Sequence, residues 1–415
     1  MSFPYSTRLL RRRALQALGA LAATPSLWAL PLQAKGQGRL IVVFLRGAYD
    51  GLSAFVPYAD PQYPKLRNSI AIAPPDGSDK TALRLDDVFG LHPALAPLLP
   101  LWQQGVFSFV PAAGSPDPTR SHFEAQHHWE IGIPGKNSDA SGWLNSLAGL
   151  QGAGSAASAI GVGEANPQIL AGVAPVRLIP KGKAATRSGA LGNERTRSAV
   201  MNLYAGSDKV SQAFRAGADS RMQTAQSLSE EKLQREMMAA DNGAPSASGL
   251  ALDAQHLGTL MRQDRRLRLG FLSAGGWDTH ANQGNASGAL ATNLAGLGRA
   301  IVQLRRDFDS PGDVIVVMSE FGRTSAENGT RGTDHGHGNA MWLIGDAVQG
   351  GRWHGQWAGL ASGNLHEGRD LPVLHDFRGV FAQLLRRNFA LTDTQLANLF
   401  PGGAWDASLD GLMRS

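Results

Sequence analysis

This sequence predicts a three-layer α/β/α sandwich around a mostly parallel sheet, and two patterns carry that expectation. Five apolar runs read as strands buried on both faces, and stretches with apolar residues at helical spacing lie between them. Strands that alternate with helices call for one sheet covered by helices on both sides.

The composition permits such a fold. Of 415 residues, 43% are hydrophobic and 18% charged, which is globular rather than disordered. The 50 glycines and 22 prolines have no period, so a collagen-like repeat is excluded. There are 0 cysteines, which excludes disulfides, thiolate metal sites, iron–sulfur clusters and a cysteine nucleophile.

Taken in order, residues 1–34 read as an export signal, the alternative being an uncleaved N-terminal anchor or a basic amphipathic helix. Arg8, Arg11, Arg12 and Arg13 precede an apolar stretch from Ala14 to Leu32, with no acid among them. Arg12-Arg13-Ala14-Leu15 resembles the twin-arginine pattern, and Ala34 is a plausible cleavage point. These arginines hold most of the net charge of +5, so the remainder is nearly neutral and nucleic acid is not an expected partner. No later run is long enough to span a membrane, so the mature protein is expected in the periplasm or outside the cell, carried there by the twin-arginine machinery.

The strand runs are Leu40–Leu45, Val106–Val110, Leu267–Leu272, Val314–Met318 and Met341–Ile344. Helical faces are marked by Leu95 to Trp102, by Leu294, Leu297, Ile301 and Leu304, and by Phe377, Val380, Phe381, Leu384 and Leu385. One α/β domain is expected over 39–390, with 196–265 as a helical insertion or cap and 391–415 as a C-terminal extension.

Ligands of open α/β sheets bind beyond the carboxyl ends of the strands. At those ends lie Arg46–Gly51, Pro118–Phe123, Gly275–His280, Ser319–Thr324 and, before Met341, Gly332–Gly338. They carry carboxylates and imidazoles among glycines, a ligand set for divalent cations. Ser121 opens a helix and is the first candidate for a hydroxyl nucleophile, with Thr119 second; with Glu124 it could equally form a capping box. His122 is a candidate acid or ligand. Arg46, Arg120 and Arg323 could hold a phosphate or sulfate, or pair with the nearby carboxylates. Trp277, Trp342, Trp353 and Trp357 are possible pocket walls, Trp342 more readily a core residue.

The motifs Arg46–Leu52, Ser121–Phe123, Gly275–His280, Ser319–Thr324 and Asp334–His337 together resemble an uncharacterised, twin-arginine-exported family of the alkaline phosphatase-like superfamily, which also holds sulfatases and metal-dependent phosphoglycerate mutases. The resemblance implies one or two divalent ions, of which zinc, manganese and calcium are not distinguished. Asp50, Asp334 and His335 would bind one ion. Asp278 and His280 would bind the other, here two residues apart where the superfamily has four. Glu320 would be a further ligand or could instead pair with Arg323, and His337 would be either a ligand or a partner that orients His335. A standard sulfatase is disfavoured, because Pro116 stands where that signature needs cysteine. The activity implied is hydrolysis of a phosphate or sulfate ester of a small molecule or glycan. The alternative is a degenerate, non-catalytic binder of a polyanion or cell-envelope glycan. A metal-free serine hydrolase is less well supported, since no Gly-x-Ser-x-Gly elbow follows a strand.

Overall fold

Leu40, Val42 and Phe44 pack into one hydrophobic core, while Ile41, Val43 and Leu45 pack into a second. This alternation along strand β1 (Arg39–Leu45) is the signature of a sheet covered on both faces. The computed structural model describes residues 38–414, apart from 137, 153–156, 165, 183–184, 186–199, 216 and 219–248. The expected export signal and much of the expected insertion lie outside the described residues. Residues 35–415 form one compact unit.

The central sheet has eight described strands. After β1 come β2 (Phe107–Gly114), β3 (Ala159–Gly163), β4 (Val176–Pro180), β5 (Leu269–Ala274), β6 (Asp313–Met318), β7 (Asn339–Ile344) and β8 (His375–Asp376). Their order is β8-β2-β7-β6-β1-β5-β3-β4. Every pairing is parallel except those of β7, which runs antiparallel to both β2 and β6.

One face is covered by α1 (His122–Ile131), α2 (Trp143–Leu150), α5 (Phe377–Asn388) and α6 (Asp393–Leu399). The other is covered by α3 (Leu250–Gln263), α4 (Ala289–Asp307) and the 3-10 turn Pro93–Leu98. On α4, Leu290, Leu294, Leu297, Ile301 and Leu304 are buried at the spacing of one helical face. Each such buried aliphatic side chain contributes about 1.5–3 kcal/mol.

All five expected strands are present, and the departures have physical reasons. β3 is missing from the sequence reading because glycines dilute its apolar run, and β4 because it ends in Pro180, which only a strand end or edge tolerates. The helix expected over Leu95 to Trp102 is a 3-10 turn passing into the short helix Leu99–Gln103, since Pro97 and Pro100 interrupt it. Within the expected insertion, α3 lies directly on the sheet and contributes Leu257, Leu260 and Met261 to the core. Beyond residue 390, Leu396, Leu399, Phe400, Leu409 and Leu412 belong to the same core as β1, so that segment is integral to the domain.

Candidate metal centre

The topology gathers the motif loops at one edge. The loops after β1, β2, β5 and β6 leave from the carboxyl ends of parallel strands. β7 is antiparallel, so the loop before it reaches that same edge. Glycines bring the loops into backbone contact. Flanking a bridge between Arg323 and His335, the Gly336 amide donates to the Gly322 carbonyl and the Gly322 amide to the His337 carbonyl, and a Cβ on Gly322 would lie 1.8 Å from the Gly338 carbonyl. Gly47, at φ +115°, packs so closely on the next loop that a Cβ would meet the Asp278 amide at 2.8 Å.

Three histidines meet there. His335 Nε2 lies 2.9 Å from His122 Nε2 and 3.0 Å from His280 Nε2. Asp278 Oδ1 is 2.9 Å from His280 Nε2 and 3.3 Å from His335 Nε2, and its Oδ2 is 3.6 Å from His122 Nε2. Donor atoms of His122, Asp278 and His335 all lie within 4.8 Å of one another.

The opposite side of each ring is held by an acceptor. His122 Nδ1 faces Glu320 Oε1 at 2.7 Å, His280 Nδ1 faces Asp334 Oδ1 at 2.9 Å, and His335 Nδ1 faces the Arg120 carbonyl at 2.9 Å. A carbonyl and two carboxylates can only accept, so each Nδ1 carries the proton. Each ring then turns its Nε2 inward. Lone pairs about 3 Å apart repel unless a proton or cation lies between them, and imidazole nitrogen with carboxylate oxygen is a donor set for zinc-like ions. The residues therefore fit a divalent metal.

Neighbouring charges shift the titration of these groups. Burial pushes the Glu320 carboxyl up, but hydrogen bonds from His122, Gln126 and the Gly47 amide outweigh it and hold it below the usual carboxylate range. The bond to Glu320 raises His122, whereas burial and the neighbouring His122 lower His335. Asp278 is also held low: burial opposes this, but Arg323 prevails through a 2.6 Å bond. Asp278 and His280 are each more than 40% exposed, so solvent reaches the cluster from their side.

Several expected roles are corrected. Asp50 is not in the cluster. It is buried in a bidentate pair with Arg67 and also accepts from Ser53 and Gln283. His337 turns away and packs against His366, 4.5 Å between ring centres; burial pushes its pKa down to about 4. Glu320 and Asp334 orient histidines instead of facing the shared point. The residues divided between two ions in the expectation are not apart, since His335 touches both His122 and His280. His122, weighed as acid or ligand, turns its Nε2 toward His335 and Asp278.

The three arginines expected to bind an anion are engaged. Arg46 binds Glu130 and Glu164, Arg120 binds Glu367 and Asp370, and Arg323 binds Asp278 rather than Glu320. Ser121 is the N-cap of α1, accepting a long 3.5 Å bond from the Glu124 amide. The capping box is not formed, since the Glu124 carboxylate accepts from Thr119 Oγ1 at 2.7 Å. Trp277 and Trp342 are core residues. Sequence reasoning missed Arg67, for which no local signal exists, and Gln126, whose i+4 spacing from His122 on α1 was a usable one.

Among solved structures, the chain is similar to phosphonoacetate hydrolase from Sinorhizobium meliloti 1021 in complex with phosphonoformate, at 11% identity and TM-score 0.30, covering 70% of this chain and 58% of that one. It is similar to a mutant TAB5 alkaline phosphatase with magnesium bound, at 11% identity and TM-score 0.31, covering 77% and 95%. It is similar to the lipoteichoic acid synthase LtaP from Listeria monocytogenes, at 8% identity and TM-score 0.29, covering 82% and 73%. The chain thus spans less than two thirds of the phosphonoacetate hydrolase. No curated protein matches it. Residues 110–400, well over half of the chain and including every histidine of the cluster, match one family throughout, and the chain belongs to that family, described as Protein of unknown function (DUF1501).

Proposed function

We propose that this chain is a metal-dependent hydrolase of phosphate or sulfate esters, of the alkaline phosphatase-like superfamily, acting in the periplasm or outside the cell after twin-arginine export. The observation that carries the reading is the convergence of His122, His280 and His335 through Nε2 while each Nδ1 is held by an acceptor. His122, His280, His335 and Asp278 would hold one divalent ion. Such an ion, when bound, supplies Lewis acidity toward an ester oxygen.

The chain's own groups supply the rest. The N-terminus of α1 lies at the cluster, because His122 is its first residue, and its partial positive charge favours an anionic substrate. Ser121 directly precedes His122 and is the hydroxyl we assign as nucleophile. Its Oγ is only loosely engaged, whereas Thr119 is tied to Glu124. Arg323 anchors Asp278, and Glu320 and Asp334 keep two rings in the ligating tautomer. The exposed side at Asp278 and His280 gives a substrate its approach. A purely polyanion-holding role is less well supported, since Arg46, Arg120 and Arg323 all bind carboxylates.

The test is metal analysis of the purified protein together with release of phosphate or sulfate from aryl phosphate and aryl sulfate. Stoichiometric divalent ion and hydrolysis, both lost in His335→Ala, are expected. An ion-free protein that hydrolyses neither ester overturns the proposal.

A further inference from the structure

At the opposite edge of the sheet, where the parallel strands begin, lies a cavity of about 1260 Å³. Its position follows from the backbone. The segment after β7 returns beside the start of β2, with Gly350 bonded to Gly105 and Gly351 to Phe107. The end of α5 lies on the same side, since α5 starts at β8 on the edge of the histidine cluster and runs back.

We infer that this cavity is a binding site for an oligosaccharide bearing anionic ester groups, separate from the metal centre. Arg352, Arg386, Arg387 and Arg414 line it, against only Asp86 and Asp410. Arg386 is engaged with Asp393 and stacks 3.9 Å over the Trp405 ring, and Arg414 donates to the Val348 carbonyl. Arg352 and Arg387, both exposed, have no carboxylate partner among the described residues. This contrasts with the edge of the histidine cluster, where Arg46, Arg120 and Arg323 are all paired. Free guanidinium forks recognise sulfate and phosphate oxygens in bidentate fashion.

Two indoles complete the cavity. Trp353 donates to Asp86 at 2.8 Å and Trp405 to Asp410 at 2.9 Å, so both rings are fixed before any ligand arrives. Trp405 remains 41% exposed. Pre-fixed aromatic faces with polar edges offer contact area at little entropic cost. The same two carboxylates interrupt the basic surface. A nucleic acid, with one charge per nucleotide, would set phosphates against them, whereas sugar rings with sparser charges and many hydroxyls would not. The volume exceeds the usual range for a single small ligand, roughly 300–1,000 Å³, and suits several linked rings.

Calorimetric titration of the full chain tests this with three oligosaccharides of equal length: dextran sulfate, phosphorylated glucan and unmodified dextran. At least one anionic form is expected to bind, and the tighter of the two names the ester. Unmodified dextran and the Arg352→Ala/Arg387→Ala double variant should each show affinity weaker by about tenfold or more. These arginines are exposed, so the double variant should stay folded, and its ester hydrolysis and metal content should match the parent protein. His335→Ala, which empties the proposed metal centre, should bind dextran sulfate as the parent does. This arm keeps failure of the hydrolase reading distinct from failure of this one. Four results overturn the inference: no binding of either anionic form, unchanged affinity in the double variant, loss of affinity in His335→Ala, or equally tight binding of inorganic sulfate or single-stranded DNA.

Discussion

Nδ1 of His122 lies 2.7 Å from Oε1 of Glu320, a carboxylate with no exposed side-chain surface. The same oxygen accepts from the Gly47 amide and from Gln126, so the loop after β1 and helix α1 converge on one acceptor. That acceptor fixes the direction in which His122 offers Nε2. Glu320→Gln keeps the shape and removes the charge. The affinity for zinc, read by competition with a chromophoric chelator, is expected to fall by about 10–100-fold, the usual consequence of losing a partner that orients a ligating histidine. Unchanged affinity would detach Glu320 from the centre.

Removal of the ion should also be visible in stability. His335 Nε2 lies 2.9 Å from His122 Nε2 and 3.0 Å from His280 Nε2, so an ion bound among them would tie three loops together. A ligand that binds only the folded chain stabilises it by about 2.7 kcal/mol at one hundred times its dissociation constant. Treatment with a chelator should lower Tm, and re-addition of zinc should restore it. In His335→Ala the chelator should have no effect; an equal drop in both proteins would place the stabilising ion elsewhere.

Asp50 gives a prediction of opposite kind. Its pair with Arg67 is sealed from solvent, at 1% and 0% exposure. Removing one member of such a pair costs about 3–5 kcal/mol, because the other charge stays buried alone. Asp50→Asn should therefore lower Tm while the metal content of the folded fraction stays at the parent level. Burial pushes the Asp50 carboxyl up, yet the Arg67 charge and hydrogen bonds hold it below the ordinary carboxylate range. A depressed folded-state pKa adds stability that is present above the unfolded value and is lost as pH falls toward the folded one. The parent should thus lose stability more steeply than Asp50→Asn on acidification below the usual carboxylate range. Loss of the metal in folded Asp50→Asn would return Asp50 to the ligand set.

The contrast between Asp50 and Asp278 marks what the sequence could disclose. Both follow strands and neighbour glycines, so local reading treats them alike. What separates them is the arrival of Arg67, 17 residues after Asp50, and of Arg323, 45 residues after Asp278. Those partners depend on tertiary packing and leave no local trace. The strand ends were legible because runs such as Leu40–Leu45 are apolar on both faces, a pattern that only a covered sheet explains. The gathering of these loops, Gly332–Gly338 among them, at one edge was legible, but the contact of His335 with both His122 and His280 was not, since it depends on side-chain directions set by tertiary packing. The turn of His337 toward His366 was equally hidden, because alternate residues of a glycine-rich loop can point either way.

Ser121 is a helix cap and, in our proposal, a nucleophile, and one substitution separates the two roles. Asparagine caps helices as well as serine does, whereas alanine costs about 1 kcal/mol at such a position. Asparagine has no hydroxyl to attack an ester. Ser121→Asn should therefore match the parent protein in Tm and in metal content, because His122 still opens α1 and still faces Glu320. Its hydrolysis of aryl phosphate or aryl sulfate should be lost, by a factor of roughly 10³ or more if the hydroxyl forms a covalent intermediate. Thr119→Val, which breaks the bond to Glu124 and the 3.3 Å bond from the Ser121 amide, should leave that hydrolysis within about twofold of the parent, as surface changes away from the reacting atoms usually do. Were Ser121→Asn fully active and Thr119→Val inactive, the nucleophile would be Thr119. Were both active, the attacking oxygen would belong to water, and Ser121 would be a cap alone.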